Sequence, residues 1–75
     1  MRALGMSYNG LWKLLIDKGM KKLDLRDMVG ISTGTLAKLS KNEYVALSVL
    51  ERICETLNCR IGDIVEYIPD KKSKF

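Results

Sequence analysis

The spacing of apolar residues along the chain predicts helices rather than strands. In the first predicted helix, apolar side chains recur every three or four residues, which places them on one face. These residues are Tyr8, Leu11, Trp12, Leu15 and Ile16. Either Ser7 or Asn9 is expected to serve as the N-cap. The helix is expected to end at about Lys18, because Gly19 can take the left-handed backbone conformation beyond it.

A short second helix is expected to end at Gly30. The segment in which it would begin, residues 20–24, offers no evident N-capping side chain. Asp24 still favours a helix start there, since a carboxylate in the first turn interacts well with the helix dipole. The apolar residues of this helix are Leu25, Met28 and Val29.

A third helix is expected to begin after Ser32, whose hydroxyl can accept a hydrogen bond from a first-turn amide. It would run to about Ser40, and Asn42 is expected to close it. Leu36 and Leu39 form its apolar side. This helix is therefore amphipathic, with one face for a core and one face for solvent or a partner.

Two more helices are predicted in the second half of the chain. The segment Ser48–Glu51 matches a capping box and would begin the fourth helix, and Asn58 can take the left-handed position after it. A short fifth helix is expected from about Ile61 to Tyr67, before Pro69 stops it. The apolar residues of the fourth helix are Leu50, Ile53, Cys54 and Leu57. Those of the fifth are Ile61, Ile64, Val65 and Ile68.

These elements predict an all-α domain of five helices with no sheet, since no segment outside them alternates apolar and polar residues. A chain of 75 residues has room for one small domain, which buries about 60% of its unfolded surface. We expect a flexible N-terminus over residues 1–6, the folded domain over residues 7–68 and a polar C-terminal tail over residues 69–75.

The inventory of reactive side chains is small. The chain has no histidine, the usual agent of acid–base catalysis near neutral pH. Its two cysteines, Cys54 and Cys59, cannot complete a structural zinc site, which needs four ligands, and we interpret them as core or half-buried thiols rather than a disulfide. The sequence therefore predicts no enzymatic activity, no cofactor and no metal.

Apolar runs are short throughout the chain, and the longest is the segment at residues 14–16. A membrane span needs about 18 apolar residues. The N-terminus carries a charge but lacks the apolar stretch of a secretory signal. The expected location is therefore the cytoplasm.

Charge is unevenly distributed along the chain, although the net charge is only +4. Residues 13–41 contain seven cations and three acids, whereas residues 42–70 contain two cations and six acids. Such sorting indicates that one face meets a polyanion and the other faces away from it. The alternative is a chance distribution over a solvated surface.

The turn between the second and third helices points to a function. Gly30-Ile31-Ser32 is a tight turn with an apolar residue at its centre, which is typical of a helix-turn-helix. Ile31 is expected to hold the turn against the core together with Leu25 and Leu36. The turn alone is a weak signal, because a hairpin in any helical bundle can use glycine at this place.

A wider run of residues makes the signal more specific. It consists of Gly19-Met20, Leu25, Val29 to Ser32, Thr35-Leu36, Leu39, Asn42 and Ser48 to Glu51. With this run the sequence resembles the phage-repressor/Cro-type helix-turn-helix family, the xenobiotic-response-element-like regulators, over about Leu11 to Val65. The resemblance implies a five-helix domain that binds operator DNA, commonly as a dimer.

Three positions depart from the pattern of that family. Lys21-Lys22 replace the usual Thr-Gln at the start of the second helix, so they can contact phosphate but cap nothing. Arg26 replaces a small residue at the helix–helix contact, so either its stem packs while the guanidinium points outward, or the helices cross more loosely. Thr33 and Gly34 replace long polar side chains, which reduces direct base reading.

The candidate DNA contacts lie on the outward side of the second and third helices and at the ends of the third. They are Lys21, Lys22, Ser32, Thr33, Gly34, Thr35, Lys38, Lys41 and Asn42. The third helix would enter the major groove, with lysines and helix N-termini on phosphates. Trp12 is interpreted as a packing residue rather than a base-stacking one.

The leading hypothesis is a sequence-specific DNA-binding transcriptional regulator, acting as a repressor. The alternative is a protein-interaction or antitoxin-like module on the same helical fold, which the small residues at Thr33 and Gly34 favour and the clustered lysines oppose. Dimerisation is expected through one of two apolar surfaces. The preferred surface comprises Tyr67, Ile68 and Phe75, and the other comprises Leu4, Met6 and Tyr8.

Overall fold

Five helices and two short strands form the part of the chain that this computed structural model describes, residues 5–69. Phe75 and Leu4, which the dimer hypotheses invoke, lie outside those residues. In chain order the elements are β1 (Met6–Ser7), α1 (Asn9–Asp17), α2 (Lys22–Val29), α3 (Thr33–Ser40), α4 (Leu47–Leu57), α5 (Ile61–Ile64) and β2 (Glu66–Tyr67). The five predicted helices are therefore all present.

The core is the meeting point of all five helices. Each helix contributes one large aliphatic side chain with 0% of its surface exposed. These residues are Leu11, Leu25, Leu39, Ile53 and Ile64. Tyr8 is also buried, at 2%, so it cannot belong to an exposed N-terminal dimer surface as the sequence suggested.

Four residues assigned to apolar helix faces are in fact exposed, and two of them, Ile61 and Ile68 (47% each), come from the predicted fifth helix. Ile16 on α1 is 76% exposed and Met28 on α2 is 58% exposed. The buried stripe of each helix is narrower than predicted, because residues four apart, Leu11 and Leu15 on α1, already cover the core. Ile16 and Met28 therefore lie on the flank of that stripe.

The prediction of an all-helical chain without a sheet was wrong at its ends. Helix α5 ends at Ile64 rather than Tyr67, and Val65 is already extended. Strand β2 pairs antiparallel with β1, with Met6 opposite Tyr67. The amide of Ile68 extends this ladder by donating to the Gly5 carbonyl over 2.6 Å. Two-residue strands are too short to show alternation, so the pattern of the sequence could not reveal them.

The first four helices all end in the same kind of cap. A left-handed residue follows each helix, as predicted, and the next amide donates to the carbonyl five residues earlier, which is a Schellman motif. The left-handed residues are Gly19, Gly30, Asn42 and Asn58. These caps end each helix abruptly and let the chain reverse direction.

The helix starts agree less well with the predictions. Ser32 does cap α3, where its hydroxyl oxygen accepts from the Thr35 amide over 3.0 Å. In contrast, α1 follows Tyr8 and α4 follows Ala46, and neither of these residues makes a side-chain cap. At α1 the hydroxyl oxygen of Ser7, one residue earlier, accepts from the Asn9 amide over 3.2 Å. The capping box at Ser48 was therefore wrong. The chain reaches α4 in an extended conformation at Ala46, so the first turn begins before Ser48.

Helix α5 lies directly against α1. A Cβ atom added at Gly10 would collide with the backbone carbonyl of Asp63, so glycine is required for this close approach. Ile64, the next residue of α5, is consequently buried in the core.

The difference between the two serines can be tested by paired substitutions. We predict that Ser32→Ala lowers the free energy of unfolding by about 1 kcal/mol, because the Thr35 amide loses its acceptor. Ser48→Ala should change it by less than about 0.5 kcal/mol, since Ser48 caps nothing. Urea denaturation of both variants measures this; an equal loss in both would restore the capping box.

Candidate nucleic-acid interface

The turn between α2 and α3 is held from both sides. Gly30 has a left-handed backbone (φ 79°), a conformation in which glycine has no Cβ penalty. Ile31 is buried beneath the turn together with Leu36, as predicted. From α4, the Nη2 atom of Arg52 donates to the carbonyls of Val29 (2.9 Å) and Gly30 (3.2 Å). The turn therefore fixes the direction in which α3 leaves α2.

Arg52 is a residue that the sequence analysis missed. It is separated from the turn by 22 or 23 positions in the chain, so no local pattern connects them. The guanidinium satisfies carbonyls at the C-terminal end of α2, where a cation also interacts well with the helix dipole. This contact ties α4 to the helix-turn-helix.

Helix α3 buries one face and exposes the other. Leu36 and Leu39 are buried against the core. The predicted contact residues on the opposite side are exposed and carry only small or cationic side chains. They are Thr33, Gly34, Lys38 and Lys41. This exposed face is basic, and Arg26 of α2 reaches its edge at Thr33.

The hydroxyl groups at the start of α3 form a small network. The Ser32 hydroxyl donates to Thr35 Oγ1 over 3.0 Å while its own oxygen accepts from the Thr35 amide. Arg26 Nη1 donates to Thr33 Oγ1 over 3.3 Å. Both threonine hydroxyls thus accept a hydrogen bond within the protein, and each keeps its own hydrogen for an acceptor outside it.

Arg26 resolves one alternative that the sequence left open. Its side chain is 32% exposed, and the guanidinium lies at the surface 3.1 Å from the Asp27 carboxylate. The stem therefore packs at the contact between α2 and α3 while the charge reaches outward. Arg26 was not among the predicted contacts, although its bond to Thr33 brings a cation to the start of α3.

Lys22 connects three helices. Its Nζ atom lies 4.3 Å above the centre of the Trp12 ring of α1, a cation–π contact. The same atom donates to Ser40 Oγ, at the end of α3, over 3.3 Å. Trp12 is half-buried and packs at the edge of the core, as interpreted from the sequence. The charge of Lys22 is thereby placed beside the C-terminal end of α3.

The remaining predicted contacts are placed as follows. Lys21 is exposed at the start of α2, and its amide donates to the Asp24 carboxylate over 2.9 Å. Asn42 is half-buried, and its Oδ1 accepts from the Tyr8 amide over 3.1 Å. The side-chain carbonyl of Asn42 is therefore hydrogen-bonded within the fold, and only its side-chain NH2 group is left to donate to a partner.

Tyr8 anchors the loop that follows α3. Its hydroxyl donates to the Glu43 carbonyl over 2.8 Å. Burial raises the pKa of this hydroxyl, an effect that the neighbouring Tyr44 reinforces and a backbone hydrogen bond from Val45 opposes. Tyr8 therefore stays neutral and holds the end of α3 against the start of α1.

Two other kinds of site are absent from residues 5–69. No three acidic or cysteine side chains come together there as they would around a metal ion. None of the helices described is both long and apolar enough to cross a lipid bilayer.

The sequence of this helix-turn-helix chain matches a known family of DNA-binding domains. The sequence profile of the Cro/C1-type HTH DNA-binding domain matches residues 10–70. The chain belongs to this helix-turn-helix family. The resemblance found in the sequence, the five-helix fold class and the assignment as a DNA-binding transcriptional regulator are therefore confirmed.

Two individual proteins of known sequence or structure are similar to this Cro/C1-type chain. YozG of Bacillus subtilis (strain 168), described as an uncharacterized HTH-type transcriptional regulator, is 38% identical over 64 residues, which cover 83% of this chain and 76% of YozG. The crystal structure of the transcriptional regulator VanUg, Form II, superposes with a TM-score of 0.86 at 57% identity and covers 93% of each chain.

The absence of a side chain at Gly34 suggests a paired test. Gly34 and Gly62 each occupy the second position of a helix, and a Cβ would make only ordinary contact at Gly34 and none at Gly62. We predict that Gly34→Ala and Gly62→Ala both raise the free energy of unfolding, by up to about 1 kcal/mol. If the backbone of α3 approaches DNA at Gly34, only Gly34→Ala should weaken duplex binding.

Thermal denaturation and fluorescence anisotropy with a labelled duplex measure the two effects. Binding by Gly34→Ala that equals or exceeds that of the wild type would show that no close approach occurs at this position.

Proposed function

We propose that this regulator represses transcription by placing α3 in the major groove of an operator and so occluding a promoter. The observation that supports this most is the exposed face of α3, which is basic and carries only small or cationic side chains. An α-helix fits the major groove of B-form DNA, and the recognition helix of a helix-turn-helix enters it by its N-terminal residues.

The start of α3 would read bases mainly through hydrogen-bond donors. The hydroxyls of Thr33 and Thr35 already accept hydrogen bonds from Arg26 and Ser32, so they are oriented to donate outward. The acceptors that such donors meet in the major groove are guanine O6 and N7, adenine N7 and thymine O4. The exposed methyl group of Thr33 would also suit a thymine methyl group.

The lysines would contact phosphates and set the register of the protein on the duplex. Lys22 belongs to α2 and Lys38 to α3, and Lys41 directly follows α3 as its C-cap. Lys22 is pre-positioned by Trp12 and Ser40, so less side-chain entropy is lost when it binds. We further propose that the protein catalyses no reaction and acts in the cytoplasm, where its DNA is accessible.

The salt dependence of binding tests this assignment. We predict that log K falls by roughly 0.9 for each phosphate contacted per unit of log salt concentration. Lys22→Ala should weaken binding to every duplex alike and flatten the slope by about one contact. Lys18→Ala is the matched control, because Lys18 lies near Cys59 and is not among the predicted contacts, so it should leave the slope unchanged.

Filter binding or anisotropy over a series of salt concentrations gives these slopes. An affinity for duplex DNA that does not depend on salt would reject the DNA interface and favour the protein-interaction module. Selection of bound duplexes from a random pool would then identify the operator half-site.

We also propose that the protein binds its operator as a dimer, through the surface around Tyr67 and Ile68. These side chains are 61% and 47% exposed, so they do not merely cover the core of their own chain. They follow α5 and lie within residues 42–70, the segment with six acids and two cations. Contact there would leave the α3 helices of both copies free for successive major grooves, about 34 Å apart.

Point substitutions test this surface without removing β2. We predict that Ile68→Asp converts a dimer to a monomer at tens of micromolar protein, because a carboxylate would be buried without a partner. Ile16→Asp, at an apolar position on α1 that is more exposed (76% against 47%), should leave the dimer intact. Sedimentation equilibrium measures both; a dimer that only Ile16→Asp disrupts would move the interface to α1.

A further inference from the structure

The two cysteines lie side by side at the C-terminal end of α4. Asn58 is left-handed (φ 53°, ψ 56°), and the Cys59 amide donates to the Cys54 carbonyl over 3.0 Å. This is a Schellman cap, in which the side chains of the two hydrogen-bonded residues pack against each other. Here both side chains are thiols, and they are close enough for the Cys54 thiol to raise the pKa of Cys59.

The thiols are also accessible from solvent. Both cysteines are free and only half-buried. Cys54 lines an open groove between the start of α4 and the start of α5, together with Leu47, Glu51 and Ile61. A small molecule can therefore reach the sulfur atom without unfolding the domain.

We propose that Cys54 and Cys59 form a dithiol site that reacts as one unit with thiol-specific reagents. A small-molecule disulfide would close it into an intramolecular disulfide, and a trivalent arsenical would bridge it. This site is independent of the DNA interface, since neither cysteine belongs to α2 or α3.

The geometry favours closure within one chain. A disulfide requires Cα atoms about 4.4–6.8 Å apart and Cβ atoms that face each other. The Schellman cap brings two residues five positions apart into side-chain contact without any change of backbone. The second thiol is thus already beside the first when the first reacts, so the effective concentration of the internal thiol is high.

The exchange reaction balances without a further reactant. One cysteine thiolate attacks a sulfur of oxidised glutathione, forms a mixed disulfide and releases one glutathione thiolate. The second cysteine then attacks the protein-bound sulfur and releases the second glutathione. Two protein thiols are oxidised and one glutathione disulfide is reduced to two thiols, which take up the two protons.

The charges around the pair determine its pH dependence. Burial raises the pKa of Cys59, and the neighbouring Cys54 thiol and the Asp63 carboxylate raise it further, whereas Lys18 acts in the opposite direction. The carboxylate of Glu51 also faces the groove. Cys59 is therefore protonated at neutral pH, and its reaction with a disulfide should accelerate as the pH rises towards its pKa.

The test treats the reduced full-length protein with oxidised glutathione at about pH 8.5, near the ordinary thiol pKa, and follows the intact mass. The wild type should lose two hydrogen atoms, keep no glutathione and remain a single chain on a non-reducing gel. Cys54→Ser and Cys59→Ser are matched controls, and each should retain one glutathione. A stable adduct, a cross-linked pair of chains or no reaction in the wild type would overturn the proposal.

A second reagent tests the pair without oxidation. Phenylarsine oxide condenses with two neighbouring thiols, forms two As–S bonds and releases one water molecule. The wild type should bind one equivalent that excess monothiol does not remove, and either serine variant should lose it. Arsenical binding that survives in a serine variant would show that the cysteines do not act together.

Discussion

The fold depends on the packing of one side chain from each helix at a common centre. Each helix contributes one fully buried side chain to this centre, so all five helices share one core. These residues are Leu11, Leu25, Leu39, Ile53 and Ile64. In so small a domain, burial of five large aliphatic side chains supplies a large share of the hydrophobic free energy, at about 1.5–3 kcal/mol each. Nothing else in the described chain links all five helices at once.

The core determines which side of α3 is buried, and the turn determines the direction in which α3 leaves α2. Ile31 holds the turn from inside, and Arg52 holds its carbonyls from α4. Because Leu36 and Leu39 must face the core, the opposite side of α3 has to face solvent. The interface is therefore a consequence of core packing: the residues that do not pack are the ones available to a duplex.

The candidate interface could be predicted in outline and not in its connections. Helical periodicity around Leu36 and Leu39 predicts that the lysines, Ser32 and the threonines are exposed, because buried positions on a helix recur every three or four residues. The bond from Arg26 to Thr33, the stacking of Lys22 on Trp12 and the engagement of Asn42 by Tyr8 could not be predicted. Each depends on how long side chains cross between elements, which no spacing in the sequence records.

The sequence by itself determined where the helices lie, where four of them end and most of the residues that face inward, although Ile16 and Met28 were misassigned. These properties are local, since a left-handed Gly30 or Asn58 and an apolar period act within a few residues. Only the tertiary structure decided that residues 6–7 pair with residues 66–67 as β1 and β2, that α4 begins at Leu47, and that Arg52 supports the turn. The strand pairing and the Arg52 contact require residues distant in the chain to meet. They stabilise the fold only after the core has brought those residues together.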